Sequence, residues 1–358
     1  MHDNIVERWS GNLHYYVKTK TASDVCFPRD VYDKLKRENI ELSVTGISKY
    51  IRSQNIAYTP VLLTWDMTSH CNFNCPFCYI RNNNSSDKDV SFDEAKEVID
   101  GLINAGLFEV YLSGGECLLL KDFLKIYKYL KQNGVFVTVF TNGSLIDDEI
   151  LECWSDYPPT SVEITLYDDD YSSKPYQNIL KLIDMDIFIL PKFTLTNTNF
   201  HYLENVKKWT DEHNIALSID ANILNGIDKL HSGLKEKFSL STEQKEIYVP
   251  NNSDGSEAIF GIKTGFSCKS KRGIIQISSD YTVSLCNKMK KRWNLRNVKI
   301  ETALGELREL IKKYESKVLN GCAGCNKYKS CEMCYANATI IDGELYVPKG
   351  YCDKLNGL

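Results

Sequence analysis

The sequence has no excess of either charge: 43 Lys and Arg stand against 47 Asp and Glu, a net of −4. That balance removes the electrostatic case for nucleic acid or an anionic membrane as a partner. No apolar run approaches the roughly 18 residues that a membrane-spanning helix needs. The opening MHDNIVERWSGN has no apolar centre of the kind an export signal carries, so the expected location is the cytoplasm. There is no internal repeat and no low-complexity tract, which excludes repeat arrays and linker-like chains. What is left is ordinary for a globular protein, with 43% apolar and 25% charged residues. At 358 residues the chain has room for one large domain and a smaller one.

Cysteine is the exception to this ordinary composition. There are 13, an odd number, and they cluster: three within residues 71–78, seven within 268–352, with Cys26, Cys117 and Cys153 apart. With no export signal to suggest an oxidising compartment, grouped thiols point to metal rather than to disulfides.

From residue 61 onward, β-branched and aromatic runs alternate with amphipathic stretches. The patterns predict strands over 61–68, 108–114, 135–143, 161–168, 187–198 and 215–224. Helices are predicted over 91–106 and 122–134 and around 147–156, 173–185 and 200–213. Six strands interleaved with helices imply an α/β fold with a parallel sheet and right-handed crossovers. Periodicity alone leaves open whether that sheet is flat or curled. Residues 1–60 show one strand pattern (14–19) and two helical ones (about 29–38 and 43–54).

The run Cys71-Asn-Phe-Asn-Cys75-Pro-Phe-Cys78-Tyr79 follows the first of the six strands. Three thiolates this close can hold three corners of a cubane and leave its fourth iron without a protein ligand. The alternative is a zinc site completed by His70 or a distant ligand, although zinc favours paired C-x-x-C units. Further on, Cys268 is followed after 17 residues by Cys286. Then comes Cys322-x2-Cys325-x5-Cys331-x2-Cys334, and after 17 more residues Cys352. One tetrahedral zinc takes four thiolates and leaves three over, so seven are better explained by two clusters.

The triad, with Phe77 at its aromatic position, resembles the signature of the radical S-adenosylmethionine superfamily. Two further segments fall where that family places cofactor contacts: Ser113-Gly114-Gly115-Glu116 and Thr141-Asn142-Gly143, each ending a strand. The resemblance implies a partial (β/α)6 TIM-like barrel over residues 61–225. A [4Fe–4S] cluster on Cys71, Cys75 and Cys78 would bind S-adenosylmethionine and yield a 5′-deoxyadenosyl radical. Phe77 and Tyr79 would lie against the adenine, and Gly114 and Gly115 would let the backbone approach the ligand. The Glu116 carboxylate would receive the methionine ammonium, and Asn142 and Thr165 would face the cofactor. The family commonly has Pro after Gly-Gly-Glu; here Cys117 stands there, a core thiol or a hydrogen-atom donor.

The seven downstream cysteines resemble the SPASM module, a small cysteine-rich, iron–sulfur-stapled C-terminal domain, here residues 261–358 after a linker at 226–260. That likeness implies Cys322, Cys325, Cys331 and Cys352 on an outer auxiliary [4Fe–4S] cluster and Cys268, Cys286 and Cys334 on an inner one. Tyr281 departs from the pattern, standing where a turn Gly is usual. The module suggests a ribosomally made precursor peptide as substrate, with a thioether or carbon–carbon crosslink as product and a flavodoxin- or ferredoxin-type electron donor. Epimerisation with Cys117 as donor, formylglycine formation, and a non-enzymatic metal-stapled binding or electron-transfer protein are the alternatives. Residues 1–60 would be a cap or a shortened leader-peptide-binding segment.

Overall fold

A computed structural model gives the fold, describing residues 5–10, 13–18, 23–28, 37, 61–78, 88–105, 107–221, 233–248, 274–286, 289, 291–321, 339–341 and 344–346. At the N-terminus, β1 (Ile5–Ser10), β2 (Leu13–Lys18) and β3 (Ser23–Pro28) form an antiparallel sheet in chain order. Only β2 is anticipated by the sequence patterns. The overlooked signal is Gly11-Asn12, the two residues between the paired Ser10 and Leu13, a dipeptide suited to tight hairpins. Of the two helical patterns there, only Arg37 falls within the described residues, and it is helical.

The main sheet holds β4 (Val61–Asp66), β5 (Leu107–Ser113), β6 (Phe136–Thr141), β7 (Ser161–Leu166), β8 (Lys192–Thr194) and β9 (Ser218–Asp220), all parallel and hydrogen-bonded in chain order. Between them run α1 (Phe92–Asn104), α2 (Phe123–Gln132), α3 (Asp148–Asp156), α4 (Lys174–Asp184) and α5 (Leu203–Glu212). A strand order that never reverses sends every right-handed crossover to the same side of the sheet. That is barrel winding, not the doubly wound arrangement with helices on both faces.

Each strand therefore has two different faces. Leu63, Trp65, Val110, Leu112, Val137, Val139, Val162, Ile164 and Phe193 are at most 1% exposed, in one core with helix residues such as Ile99, Ile126, Ile179 and Val206. The alternate residues Thr64, Tyr111, Phe140, Glu163, Thr165 and Lys192 are only half-buried and mostly polar, and they line the inner face. Helix ends keep the crossovers short: Gly134, Asp186 and Asn214, just past α2, α4 and α5, all have positive φ. The strand predicted over 187–198 is cut to Lys192–Thr194 plus a bridge from Ile189 to Val162. Pro191 lies between them and has no N–H to continue the ladder.

Two short helices follow, α6 (Leu234–Phe238) and α7 (Thr242–Tyr248). The chain then returns to the other edge of the sheet. Strand β10 (Ile274–Ile277) pairs in parallel with β4, and β11 (Thr282–Ser284) and β12 (Trp293–Asn294) continue outward antiparallel. Within the segment expected to form the C-terminal module, the described strands β10 to β12 thus extend the main sheet. Helix α8 (Ile300–Gly321) packs on α1 so closely that a Cβ at Gly101 would lie 2.3 Å from Ile300 Cγ2. A small hairpin of β13 (Thr339–Ile341) and β14 (Glu344–Tyr346) completes the described elements.

Candidate functional site

The loop leaving β4 carries Cys71, Cys75 and Cys78, none in a disulfide and all half-buried. Its turns are local: Phe73 N–H donates to Cys71 Sγ (3.3 Å) and Cys78 N–H to Cys75 O (3.2 Å). Burial raises the Cys71 thiol above its ordinary value, partly offset by the Phe73 and Asn142 hydrogen bonds. His70 is turned elsewhere, with Nδ1 3.1 Å from Thr68 Oγ1 and 3.5 Å from Asp89 Oδ1. Among the described residues, no three His, Cys, Asp or Glu side chains converge to share one metal ion.

The Gly-Gly-Glu segment meets this loop backbone to backbone. Met67 N–H donates to Ser113 O (2.9 Å), Gly115 N–H to Thr68 O (2.8 Å) and Glu116 N–H to His70 O (2.8 Å). A Cβ at Gly114 would lie 2.6 Å from Thr68 O, and one at Gly115 2.2 Å from His70 O. Gly114 also has φ +137, a conformation side chains rarely adopt. The close approach that the structure displays for these glycines is therefore to the residues just ahead of Cys71.

Glu116 is 1% exposed. Its Oε1 accepts from Thr141 Oγ1 (2.8 Å) and Leu118 N (3.2 Å), and its Oε2 from Asn142 N (2.7 Å). Burial still raises its pKa, against the pull of these donors. In the structure the carboxylate is a strut joining the ends of β5 and β6. Asn142 continues the tie: its Nδ2 donates to Asn72 Oδ1 (2.9 Å), and Asn72 Nδ2 donates to Ser144 Oγ (2.8 Å). The triad loop is thus held from β5 by backbone and from β6 by side chains. Cys117 has no exposed surface, and its thiol donates to Phe140 O (3.3 Å), as a packed core cysteine does.

Phe77 sits in an aromatic group with Tyr167 (5.8 Å between centroids) and Phe238 (6.0 Å), and Phe73 also meets Tyr167 (6.1 Å). Tyr79 lies outside the described residues. Thr165 is on the inner face, paired with Lys192. Sequence reasoning missed Tyr167, although it follows Thr165 by two and so continues the same strand face. It also missed Asp66, buried at the end of β4 and held by Gln276 Nε2 at 2.7 Å. Burial pushes the Asp66 carboxyl up to about 6, with Gln276 and Arg292 opposing. Farther round the inner face, Lys192 Nζ lies 3.9 Å from Asp220 Oδ2, and burial raises the Glu163 carboxyl while Lys192 lowers it.

Of the seven downstream cysteines only Cys286 is described. It is half-buried just beyond β11, with its carbonyl accepting from Ser284 Oγ (2.9 Å). Cys268, Cys322, Cys325, Cys331, Cys334 and Cys352 lie outside the described residues. Tyr281, where a turn Gly is usual, takes the φ a glycine would, +61. Its ring stands 6.5 Å from Trp65 with Arg296 Cζ 5.0 Å from its centre, and its hydroxyl donates to Glu94 O (2.6 Å). A strained tyrosine thus ties the hairpin to β4 and to the start of α1.

Comparison with known proteins bears on the same segments. Residues 65–188 match the Radical SAM superfamily. The matched stretch runs from the end of β4 past β7 and includes the triad, Gly114–Glu116, Asn142 and Thr165. Fe-coproporphyrin III synthase of Methanosarcina barkeri is 33% identical over 90 residues, 25% of this chain and 23% of that protein. The sporulation killing factor maturation protein SkfB of Bacillus subtilis is 26% identical over 161 residues, 42% of this chain and 39% of its own. The chain thus spans well under half the length of these curated relatives. Among solved structures, Streptococcus suis SuiB bound to S-adenosylmethionine superposes with a TM-score of 0.62 at 15% identity. That match covers 94% of this chain and 96% of SuiB. SuiB bound to its precursor peptide SuiA gives 0.59 at 14% identity, over 98% and 99%. At such identities the likeness is one of fold.

Proposed function

We propose that this chain is a radical S-adenosylmethionine enzyme that modifies a ribosomally made peptide, forming a thioether or carbon–carbon crosslink. The observation that carries the reading is the triad loop, three half-buried thiols on a segment gripped by the Gly114–Glu116 backbone and by Asn142. The donor set fits the cofactor. A cubane binds each cysteine to a different iron, so it needs no convergence of the three sulfurs on one point. Cys71, Cys75 and Cys78 would hold it, with Phe77 and Thr165 beside the nucleoside. When bound, the reduced cluster and S-adenosylmethionine supply a carbon-centred radical able to take a hydrogen atom from the substrate. The chain's own contribution is placement: Gly115 and Glu116 hold the loop through Thr68 and His70, Asn142 holds Asn72, and Phe73 and Phe77 of the loop pack on Tyr167.

The peptide as substrate draws support from the full-length fold likeness to SuiB, which takes in the N-terminal sheet as well as the barrel. The likeness to the coproporphyrin enzyme covers a quarter of the chain and carries no argument about the substrate. Residues 1–60, whose described strands β1 to β3 form an antiparallel sheet, would cap the barrel or engage the leader of the precursor. Residues 261–358 would carry two auxiliary [4Fe–4S] clusters that accept the electron released on crosslinking, Cys286 being one ligand, and a flavodoxin or ferredoxin would reduce the first cluster. Epimerisation is the weaker reading, because Cys117 has no exposed surface from which to donate hydrogen. The test is co-expression with short peptides encoded beside the gene, followed by mass spectrometry. Crosslinking removes two hydrogens from the peptide. Epimerisation leaves its mass unchanged but takes up one deuterium in heavy water, and that outcome would replace the crosslinking assignment.

A further inference from the structure

Three charged side chains stand on the inner face of β7, β8 and β9, apart from the triad loop and its supports: Glu163, Lys192 and Asp220. The strand register gives their order. Thr165 pairs with Lys192 and Thr194 with Asp220, so Lys192 stands two residues above Glu163, and Asp220 two residues above Lys192. Each step climbs roughly 6–7 Å along the strands and crosses to the next strand, about 4.8 Å away. The charges alternate along this staircase: negative, positive, negative. Lys192 Nζ lies 3.9 Å from Asp220 Oδ2, an ion pair too long for a hydrogen bond, and 5.9 Å from the Phe140 ring centre. Burial raises the Glu163 pKa while the charge of Lys192 lowers it. Both residues are half-buried, yet among the described residues neither side chain makes a hydrogen bond. Their hydrogen-bonding capacity is available to a ligand.

We propose that Glu163, Lys192 and Asp220 bind the main chain of the substrate peptide, the carboxylates accepting backbone N–H groups and the ammonium donating to a backbone carbonyl between them. The inference rests on the reading of the substrate as a peptide. In an extended chain every second residue turns its N–H and C=O to the same edge, a repeat of roughly 6–7 Å, the height of one step. Charge favours the same ligand. An anionic group would be repelled at two of the three steps and a cationic one at the third, whereas a neutral peptide group carries both donor and acceptor. Hydrogen bonds to ionised partners are also the stronger kind. This wall would thus set where the peptide backbone lies rather than which side chain it carries.

The experiment uses the full chain, reconstituted anaerobically with iron and sulfide, and a precursor peptide that the wild type modifies. Synthetic copies carry one N-methyl group at each backbone position in turn, which removes one N–H and keeps the side chain. Losing one charge-assisted hydrogen bond should lower kcat/KM about tenfold to a hundredfold at one or two positions. Alanine in place of the side chain at those positions should leave kcat/KM nearly unchanged. With Asp220→Ala, the N-methyl penalty at the position facing Asp220 should disappear, and Glu163→Gln should shrink the penalty at the other. If Asp220→Ala folds poorly, Asp220→Asn, which keeps an acceptor without the charge, should shrink it instead. The absence of any position-specific penalty, or a penalty unchanged in the acid variants, would overturn the inference. So would a Lys192→Met defect that vanishes once a single Asp or Glu of the peptide is made Asn or Gln, the mark of a side-chain salt bridge. A wild type that cleaves S-adenosylmethionine but modifies none of the peptides encoded beside the gene would refute the peptide reading itself.

Discussion

Strands β4 to β7 and strands β8 and β9 belong to one parallel sheet but are built to different standards. The first four are six or seven residues long, and the last two are three residues each. Where β4, β5 and β6 end, the polar groups are spent on one another: Glu116 on Thr141 and Asn142, Asn142 on Asn72, and Gly115 on Thr68. Across β8 and β9 the inner face instead offers Lys192 and Asp220, 3.9 Å apart with side chains 31% and 43% exposed. The contrast separates two tasks. On the proposed function, the loop that would hold the cofactor is set on saturated, pre-organised structure, and Lys192 and Asp220 would lie in the part of the wall open to a substrate.

Substitutions can break or sharpen that contrast. The largest effect is expected at Gly115→Ala, whose Cβ would press on the His70 carbonyl ahead of the triad. Overpacking against backbone costs about 1–3 kcal/mol. Gly305→Ala, at an exposed position of α8 with nothing near its Cβ, should stabilise by roughly 0.5–1 kcal/mol, so the two differ in sign in a urea titration. Glu116→Gln places an amide N–H2 against either the Asn142 N–H or the Thr141 hydroxyl, at a cost of about 1–3 kcal/mol in the same measurement.

Asp66 carries a pH effect of known sign. Its folded pKa, pushed up by burial to about 6, lies above the unfolded value, so the native state binds its proton more tightly. The stability Asp66 contributes is fully present below about pH 4 and is lost as pH rises through about 6. Asp66→Asn, which still accepts from Gln276, should flatten that decline, gaining on the order of 1–3 kcal/mol at pH 8 relative to wild type. At the small end, Asp220→Asn should change stability by less than about 0.5 kcal/mol. If it also leaves peptide turnover unchanged, the assignment of β8 and β9 to the substrate side is wrong.

Much of this was legible in the sequence where residues act locally. Ser91 and Glu94 begin α1 as a capping box, and Gly134 closes α2, as their positions imply. The triad and both strand-end motifs are contiguous runs, visible in the order of residues alone. The partners of the motif residues could not be read the same way. The glycines of Gly-Gly-Glu press on the chain's own backbone, and the glutamate spans two strands, because both contacts depend on how strands pair rather than on neighbours along the chain. The return of β10 to β4, some 200 residues earlier in the chain, left no local signal for the same reason. Tyr167 was hidden among 21 tyrosines until the sheet placed it against Phe73 and Phe77 of the triad loop.

The central claim is that the loop of Cys71, Cys75 and Cys78 serves radical chemistry. Its most direct test is the formation of 5′-deoxyadenosine and methionine from S-adenosylmethionine by the anaerobically reconstituted, dithionite-reduced protein, alongside Cys75→Ala. The account predicts cleavage by the wild type and none above background by Cys75→Ala. An iron-loaded wild type that leaves S-adenosylmethionine intact, or a variant that cleaves it equally well, would contradict the account.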